Sequence, residues 1–334
     1  MRAYVVTEGS KSLDGLRRVE KPQPEPAAGQ LLVRVRATSL NYRDQMVVTG
    51  NYFGGSVARD TIPLSDGAGE VVDTGAGVTR FKKGDRVAST FFLGWVDGPP
   101  SPRQARGSPV DGMLAEYVVL DEVDAVALPR NLSYDEGATL TCAGVTAWHA
   151  LIETCGLKPG DWVLVLGSGG VSMFALQFAR AAGARVIMTS SSDEKLARGR
   201  ALGAAEGINY RRTPDWEKEV LRLTENRGVD VVVEVGGPGT LARSMQAVAY
   251  AGHVTLIGFL AGPQGDTNPH PLMRKGASLH GIFVGSRAMF EHMNAAIEAN
   301  EIHPVIDKVF DFEQAADAYR HQQGGAFGKV VIRV

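Results

Sequence analysis

A short apolar strand that runs directly into a glycine-rich turn and a helix restricts the fold of this chain most. Trp162–Leu166 is an unbroken apolar run, and Gly167-Ser-Gly-Gly-Val-Ser172 follows it at once. Gly167 permits a tight turn, Gly169 lets the backbone approach a ligand, and the helix that follows offers unpaired N–H groups. The pattern is typical of a pyrophosphate-binding turn, with Ser172 as the small residue at the third glycine position. The residues expected to bind a dinucleotide here are Gly167, Ser168, Gly169, Gly170 and Val171.

Strands and helices alternate from about residue 125 onwards. The predicted strands Arg185–Thr189, Val229–Val235 and His253–Gly258 are short apolar runs, as expected where helices cover both faces of a sheet. Predicted helices, such as Val171–Ala182 and Asp193–Leu202, lie between the strands. This alternation predicts an α/β domain with a doubly wound parallel sheet.

The first part of the chain, up to residue 123, has a different texture. Short runs rich in Val, Leu and aromatic residues are separated by Gly, Pro and Asp, which predicts a mainly β domain. The segment Gly94–Gly112 is rich in Pro, Gly and Ser, and loops of this length are often functional. We expect it to form either a lid or a contact between subunits.

Composition excludes several classes of protein. The chain has 334 residues, a net charge of -2 and 2 Cys. Two cysteines cannot build a disulfide framework or a four-cysteine zinc lobe, and scattered basic residues give no footprint for nucleic acid. No apolar run is long enough for a transmembrane helix, and the N-terminus lacks a signal-peptide pattern. We therefore expect a cytoplasmic protein that binds neither membrane nor nucleic acid.

The end of the second predicted strand of the α/β domain indicates which dinucleotide is bound. An acidic residue at this point would bind a ribose 2′-hydroxyl, but hydroxyl side chains stand there instead. Hydroxyls and a nearby cation favour a 2′-phosphate, so we expect NADP(H) rather than NAD(H). The alternative is that the serines only cap a helix. The candidate residues for this pocket are Ser190, Ser191, Lys195 and Tyr210.

Several short motifs together resemble the medium-chain dehydrogenase/reductase superfamily over essentially the whole chain. They are Asn41-Tyr-Arg-Asp44, Asp66-Gly-Ala-Gly-Glu70, Phe81-Lys-Lys-Gly-Asp85, Cys142-Ala-Gly-Val-Thr146, the Gly167–Ser172 turn and Gly328-Lys329. The resemblance implies a Rossmann domain inserted into a mainly β, GroES-like catalytic domain. It places the catalytic domain at residues 1–124 and 284–334, and the NADP-binding domain at residues 125–283.

The zinc ligands of the metal-dependent members of this superfamily are largely missing. Aligning the motifs puts Asn41 and Ser65 at the first two ligand positions, and Asp66 replaces the adjacent Glu. Only Cys142, at the third position, remains, and one thiolate with an amide and a hydroxyl is a poor set for zinc. No metal is expected. Asn41-x-x-Asp44 resembles the zinc-free quinone oxidoreductase branch, whose members pass hydride from NADPH to quinones or activated alkenes.

Three polar residues of the first domain are candidates for catalysis. Asn41 could donate an amide N–H to a substrate carbonyl, or it could simply form a turn. Asp44 could orient other groups, and Tyr52 could donate a hydroxyl hydrogen bond or be a packing residue. The proton could also come from solvent.

Further positions are expected near the nicotinamide because of where they lie in the family motifs. Backbone groups at the ends of strands can bond the carboxamide. Lys329 could form a bond across the two domains, or it could be a solvated lysine near the end of the chain. The full set is Thr146, Gly258, Phe259, Leu260, Phe283, Val284, Gly285 and Lys329.

These observations leave three functions open. The favoured one is a zinc-independent, NADPH-dependent reduction of a quinone or an α,β-unsaturated carbonyl. The others are an NAD(P)-dependent alcohol dehydrogenase or aldehyde reductase, and a non-catalytic NADPH-binding structural or sensor protein. The predicted strand Leu279–Val284 leaves one sheet edge exposed, which favours a homodimer.

Overall fold

The computed structural model describes residues 1–101, 103–262 and 264–334. The strands are β1 (Arg2–Val6), β2 (Leu16–Glu20), β3 (Gln30–Leu40), β4 (Asp66–Thr74), β5 (Arg86–Ser89), β6 (Tyr117–Asp121), β7 (Ala125–Ala127), β8 (Trp162–Leu166), β9 (Arg185–Ser190), β10 (Glu206–Asn209), β11 (Val229–Glu234), β12 (Val248–Leu256), β13 (Ser278–Gly281), β14 (Ile306–Asp311) and β15 (Lys329–Arg333). The α-helices are α1 (Tyr42–Val48), α2 (Tyr134–Gly137), α3 (Val145–Trp148), α4 (Gly170–Ala181), α5 (Asp193–Ala201), α6 (Trp216–Leu223), α7 (Pro238–Ala247), α8 (His270–Lys275), α9 (Arg287–Ala299) and α10 (Ala315–Gln323). Two compact units result, which we call unit 1 (Met1–Val145 and Gly285–Val334) and unit 2 (Thr146–Val284).

Unit 1 is built on a seven-stranded sheet. The strand order is β14-β15-β3-β4-β5-β7, and β6 also pairs with β3. All pairs are antiparallel except β14-β15. The core of this unit includes Val33 of β3, Leu114 and the ring of Tyr319 from α10, all fully buried. The mainly β character predicted for this part of the chain is confirmed.

The register of three adjacent strands of unit 1 brings polar residues together. In the β15-β3 pair Val330 lies opposite Leu40, and in the β3-β4 pair Ser39 lies opposite Asp66. The same end of these three adjacent strands therefore carries Lys329, the first residue of β15, Asn41, the residue after β3, and Asp66, the first residue of β4. Gly328 has φ +90°, and a Cβ there would collide with the carbonyl of Val305, so glycine is needed just before β15.

Unit 2 is a six-stranded parallel sheet with the order β10-β9-β8-β11-β12-β13. Counted from β8, the order is 3-2-1-4-5-6, the arrangement of a doubly wound dinucleotide-binding fold. The predicted fold class is confirmed. In the described part of the chain, no helix is both long enough and apolar enough to span a bilayer.

The first division between the units lies later in the chain than the predicted boundary at 124/125. The segment Ala125–Ala127 forms β7, which pairs with β5 and so belongs to the sheet of unit 1. Ser133 caps the short helix α2, and the helical run that starts there includes π-helical turns at Leu140–Gly144 and His149–Thr154. The division between Val145 and Thr146 falls within this helical run.

The long loop at residues 94–112 packs onto unit 1 at several points. Trp95 is only 2% exposed, and its carbonyl accepts the N–H of Arg287 at 2.9 Å. Isolated bridges pair Phe92 with Ala105 and Arg106 with Val110. Pro102, within this loop, lies outside the described residues. A role as a lid or as a subunit contact stays a prediction.

Candidate active site

The glycine-rich turn of unit 2 leaves open space at the start of α4. Gly167 has φ +73°, and a Cβ at Gly167 or at Gly169 would meet no heavy atom within 4 Å. The N–H of Gly167 donates to Oγ1 of Thr189 at 3.3 Å, and Oγ of Ser172 donates to the carbonyl of Leu166 at 2.7 Å. No side chain caps this helix among the described residues. Its first N–H groups can therefore bind an anion.

The serines after β9 have distinct roles. Oγ of Ser190 accepts the N–H of Ser192 at 3.2 Å, and Oγ of Ser192 accepts the N–H of Lys195 at 3.3 Å. Ser192 is therefore the N-cap of α5, which agrees with the predicted alternative that serines of this segment cap a helix. Ser191 takes no part in the cap and is half-buried.

The first carboxylate after the serines that follow β9 is paired with a cation. Asp193 forms an ion pair with Arg212, and its Oδ1 also accepts Nδ2 of Asn209 at 2.9 Å. The N–H of Tyr210 donates to the carbonyl of Ser190 at 3.1 Å, so the turn after β10 is tied to the end of β9. The Tyr210 side chain is 42% exposed.

Sequence reasoning missed Glu234, a fully buried carboxylate at the end of β11. Its Oε1 accepts the N–H groups of Gly236 at 2.7 Å and Gly237 at 2.9 Å, and Oγ1 of Thr240 at 2.7 Å. Its Oε2 accepts the hydroxyl of Ser244. A lone acid at the end of an apolar strand was the available signal, because a buried charge requires such partners.

The turn that Glu234 holds supports the predicted nicotinamide segment. Gly237 has φ +76°, and a Cβ there would lie 2.7 Å from both the carbonyl oxygen of Gly258 and Cα of Phe259. The N–H of Leu260 donates to the carbonyl of Val235 at 3.1 Å. The segment 258–260 is therefore packed against the end of β11.

A strained residue ends unit 2. Val284 is buried at φ +59°, a conformation that is unusual for a β-branched side chain. Nδ1 of His149 lies 2.7 Å from its carbonyl oxygen. Thr146 is buried, whereas Phe283 is 50% exposed. Of the residues predicted to lie near the nicotinamide, Gly285 and Lys329 belong to unit 1 and the rest to unit 2. Their contacts with a cofactor stay predictions.

Unit 1 carries a buried polar cluster centred on Lys329. Nζ of Lys329 donates to Oδ1 of Asn41 at 2.6 Å and to Oδ2 of Asp66 at 3.2 Å. The side chains of Lys329 and Asp66 are 3% and 0% exposed. The ammonium therefore has no access to bulk water, and its carboxylate partner balances its charge.

The side of the cluster around Asp66 is closely packed with donors. Oδ1 of Asp66 accepts Oγ of Ser65 at 2.8 Å, and Oδ2 accepts Oγ of Ser39 at 3.3 Å and the N–H of Cys142 at 3.4 Å. Burial, and secondarily the charge of Asp66, raises the pKa of the Cys142 thiol to about 12. This cysteine is therefore a neutral thiol at physiological pH.

Asp44 fixes the backbone at Asn41. Its Oδ2 accepts the N–H of Asn41 at 2.7 Å, and the residue is 1% exposed. Burial raises the pKa of the Asp44 carboxyl to about 6, although the charge of Arg43 opposes the shift. Oδ1 of Asp44 and the hydroxyl of Tyr319 are both buried without a hydrogen-bond partner among the described residues.

Tyr52 lies against a buried guanidinium. Cζ of Arg43 is 4.6 Å from the centroid of the Tyr52 ring, and Arg43 donates to the carbonyls of Arg106 at 2.8 Å and Ser108 at 3.2 Å. Burial raises the pKa of the Tyr52 hydroxyl, while the charge of Arg43 lowers it. Tyr52 therefore keeps its proton at neutral pH and can donate a hydrogen bond.

One doubly wound unit with an open glycine turn and one mainly β unit with a buried polar cluster are together typical of a two-domain dehydrogenase. Residues 27–130 match the alcohol dehydrogenase GroES-like domain family, and residues 170–299 match the zinc-binding dehydrogenase family. The chain belongs to the medium-chain dehydrogenase/reductase superfamily, a family of pyridine-nucleotide-dependent oxidoreductases.

Three similar proteins illustrate this membership. A zinc-type alcohol dehydrogenase-like protein of Schizosaccharomyces pombe is 44% identical over 344 residues, with 99% of each chain covered. A quinone oxidoreductase of Sus scrofa is 30% identical, with 92% of this chain and 90% of that protein covered. The crystal structure of an NAD-dependent alcohol dehydrogenase superposes with a TM-score of 0.91 at 33% identity and covers 100% of both chains.

The residues present fit the dinucleotide that the family implies. The open space at Gly167 and Gly169, together with the uncapped start of α4, leaves room for a pyrophosphate and donors to bind it.

The same test fails for zinc. At the first two aligned ligand positions stand the amide of Asn41, which accepts a hydrogen bond from the Lys329 ammonium, and the hydroxyl of Ser65, which donates to Asp66. Only Cys142, at the third position, is of a residue type that binds zinc. Zinc requires deprotonated thiolates, imidazoles or carboxylates, and a positive charge beside them repels it. This donor set does not fit a zinc ion.

Proposed function

We propose that the protein is a zinc-independent, NADPH-dependent reductase of quinones or α,β-unsaturated carbonyl compounds. The observation that carries the proposal is the buried group of Lys329, Asn41 and Asp66: Asn41 stands at the first zinc-ligand position of the aligned motifs, and it accepts a hydrogen bond from the ammonium that Asp66 also binds. In metal-dependent dehydrogenases a Lewis acid holds the alkoxide of a simple alcohol, and because this donor set does not fit one, that reaction is disfavoured. An electron-poor acceptor needs only orientation and a hydrogen bond to its oxygen.

The preference for NADPH over NADH is supported by charge. Asp193 is paired with Arg212, so it presents little negative charge to a 2′-phosphate. The hydroxyl of Ser191 and the cation of Lys195 are close in sequence to the end of β9, and Tyr210 is tied to the same end. Hydroxyls and cations are the groups that bind a phosphate.

We assign roles to three residues of unit 1. Bound NADPH would supply a hydride to the acceptor carbon. Asn41 donates an amide N–H to the acceptor oxygen, where negative charge develops. Tyr52, which keeps its proton at neutral pH, is a second hydrogen-bond donor, and Asp44 holds the backbone of Asn41 in place. The proton that completes the reduction comes from Tyr52 or from solvent.

The decisive experiment is an acceptor survey with the purified protein. NADPH oxidation is followed by absorbance against quinones, enals and enones, with NADH in parallel. We expect turnover with NADPH that survives dialysis against EDTA, because no step depends on a metal. Alcohol-dependent reduction of NADP⁺ that is lost on dialysis and restored by zinc would support a metal-dependent alcohol dehydrogenase instead. Tight NADPH binding without turnover on any acceptor would point to a sensor.

We also propose that the protein acts in the cytoplasm as a homodimer that pairs through β13. This strand is at one edge of the sheet of unit 2, and Leu279 on it is 41% exposed. Tyr250, near the start of the adjacent strand β12, is 76% exposed. An apolar exposed sheet edge favours pairing with a second copy. Light scattering after size-exclusion chromatography tests this state, and replacing Leu279 with Lys should shift it towards monomer.

A further inference from the structure

The Asn41 carboxamide has two ends of opposite character, and one of them is fixed by its neighbour. Nζ of Lys329, which can only donate hydrogen bonds, lies 2.6 Å from Oδ1 of Asn41. A flipped amide would place an NH₂ group against an ammonium, which is repulsive. The Nδ2 group of Asn41 must therefore point away from Lys329.

The Nδ2 group has no partner within the described ranges of the chain, although it is buried. A buried donor without an acceptor destabilises the folded protein, so such groups are rare and need an explanation. The Oδ1 end of the same side chain is bonded at 2.6 Å, so the side chain is well placed rather than loose. An acceptor oxygen from a bound molecule would satisfy the free end.

Lys329 is itself held rigidly. Its Nζ donates to Oδ2 of Asp66 at 3.2 Å, and Oδ1 of Asp66 accepts Oγ of Ser65 at 2.8 Å. The register of β15 against β3 places Lys329 beside Asn41, because Val330 lies opposite Leu40. The ammonium therefore cannot leave Asn41 without breaking a strand pair or a buried ion pair.

The geometry points to Lys329 as a positioning residue that orients and polarises the Asn41 amide, so that its N–H groups bind the carbonyl oxygen of a quinone or enone. This inference rests on the proposed function. The positive charge of Lys329 next to Oδ1 draws electrons from the amide of Asn41 and makes its N–H groups stronger hydrogen-bond donors. This polarisation is large where water is excluded. The donor is then strongest towards an oxygen that gains negative charge during hydride transfer.

The test compares Lys329→Met with Lys308→Met, a matched control on the adjacent strand β14. Loss of one preorganised donor typically lowers kcat about 10²-fold. We expect that loss of kcat in Lys329→Met at saturating NADPH, where weaker cofactor binding does not lower the rate, and no change in Lys308→Met. Asn41→Ala should show a similar loss, and the double variant no further loss, because the two residues act as a unit.

Lys329→Met leaves the Asp66 carboxylate buried without its partner, so its folding is controlled with the charge-free pair Asp66→Asn/Lys329→Met. The infrared carbonyl stretch of a bound enone distinguishes polarisation of the substrate from a purely structural role of Lys329. The enone is bound together with NADP⁺, which has no hydride to transfer, so no reaction occurs. We expect the band to be shifted in wild type and to lie closer to that of the free enone in Lys329→Met and in Asp66→Asn/Lys329→Met.

Each outcome decides the inference. Unchanged kcat and an unchanged carbonyl band in folded Lys329→Met, with activity in wild type, would overturn this inference alone. A wild-type protein that is inactive with every acceptor contradicts the proposed function and removes this inference with it.

Discussion

The backbone N–H of Asn41 donates to Oδ2 of Asp44 at 2.7 Å, so the acid in the first turn of α1 holds the residue that precedes the helix. The same carboxyl is buried, and its pKa is raised from 3.8 to about 6. Asp44 therefore holds Asn41 in place, but ionisation of this buried carboxyl at neutral pH lowers the stability of the folded protein. This effect gives the stability of the protein a pH dependence that can be measured.

We expect Asp44→Asn to flatten that dependence. The folded-state pKa is above the unfolded value, so the protonated carboxyl stabilises the fold most at low pH, and this stabilisation is lost as pH rises through about 6. Between about pH 5 and about pH 8 the loss amounts to about 1 kcal/mol in wild type. Urea unfolding at both pH values measures it. The exposed Asp14→Asn serves as control, and equal pH dependence in wild type and Asp44→Asn would contradict the assignment.

Gly169→Ala should separate cofactor binding from folding. Gly169 has an ordinary negative φ, and a Cβ there meets no protein atom within 4 Å, so we expect an unchanged melting temperature. The methyl group would instead occupy the space that a pyrophosphate needs, and NADPH affinity should fall at least about tenfold. Gly281→Ala is the matched control, since it also has open space and no positive φ. Titration by NADPH fluorescence measures both, and wild-type affinity in Gly169→Ala would exclude this turn as the binding site.

Ser191→Asp should reverse the coenzyme preference. A carboxylate after β9 would repel a 2′-phosphate and accept hydrogen bonds from a 2′-hydroxyl. We expect the ratio of kcat/KM for NADPH over NADH to fall at least about 10²-fold, equivalent to about 2.7 kcal/mol. Ser191→Ala, which adds no charge, should lower it by about tenfold or less. If both variants keep the wild-type ratio, the 2′-phosphate is bound elsewhere.

Glu234→Gln should destabilise unit 2. The carboxylate accepts two hydrogen bonds from the turn after β11 and two from hydroxyls of α7, and an amide nitrogen would face donors on one side. We expect a loss of about 2 kcal/mol in the free energy of unfolding, since each bond to a charged group contributes about 1.5–3 kcal/mol. Because the 258–260 segment packs on this turn, NADPH affinity should also fall. Glu225→Gln, which is exposed and lies outside the segment after β9, should change neither quantity.

Patterns of neighbouring residues in the sequence correctly predicted the structural elements that are formed by a continuous stretch of chain. The turn at Gly167–Ser172 and the parallel sheet of unit 2 follow from the rhythm of apolar runs, and the structure contains both. The boundary near residue 124 was misplaced because β7 has only three residues, too few to show a strand pattern. Its place in the sheet depends on pairing with β5, which no local pattern reveals.

The unit 1 cluster shows what sequence patterns could not give. Asn41 and Ser65 were recognised as replacements for zinc ligands, and Asp66 as the replacement for the adjacent Glu. Lys329 was expected either to bond across the two domains or to be solvated. Its ammonium is instead bonded to Asn41 and Asp66 inside unit 1, and this depends on the register of β15, β3 and β4. Any contact of Lys329 with the cofactor stays a prediction.

The bond between Lys329 and Asn41 joins residues 288 positions apart, and the whole of unit 2 lies between them in sequence. During synthesis, β3 therefore emerges from the ribosome long before β15, and the stretch Ala37–Leu40 has no strand on that side. An unpaired sheet edge of this kind invites aggregation. The nascent protein must keep this edge covered, by a chaperone or by transient contacts, until translation delivers the lysine that completes the site.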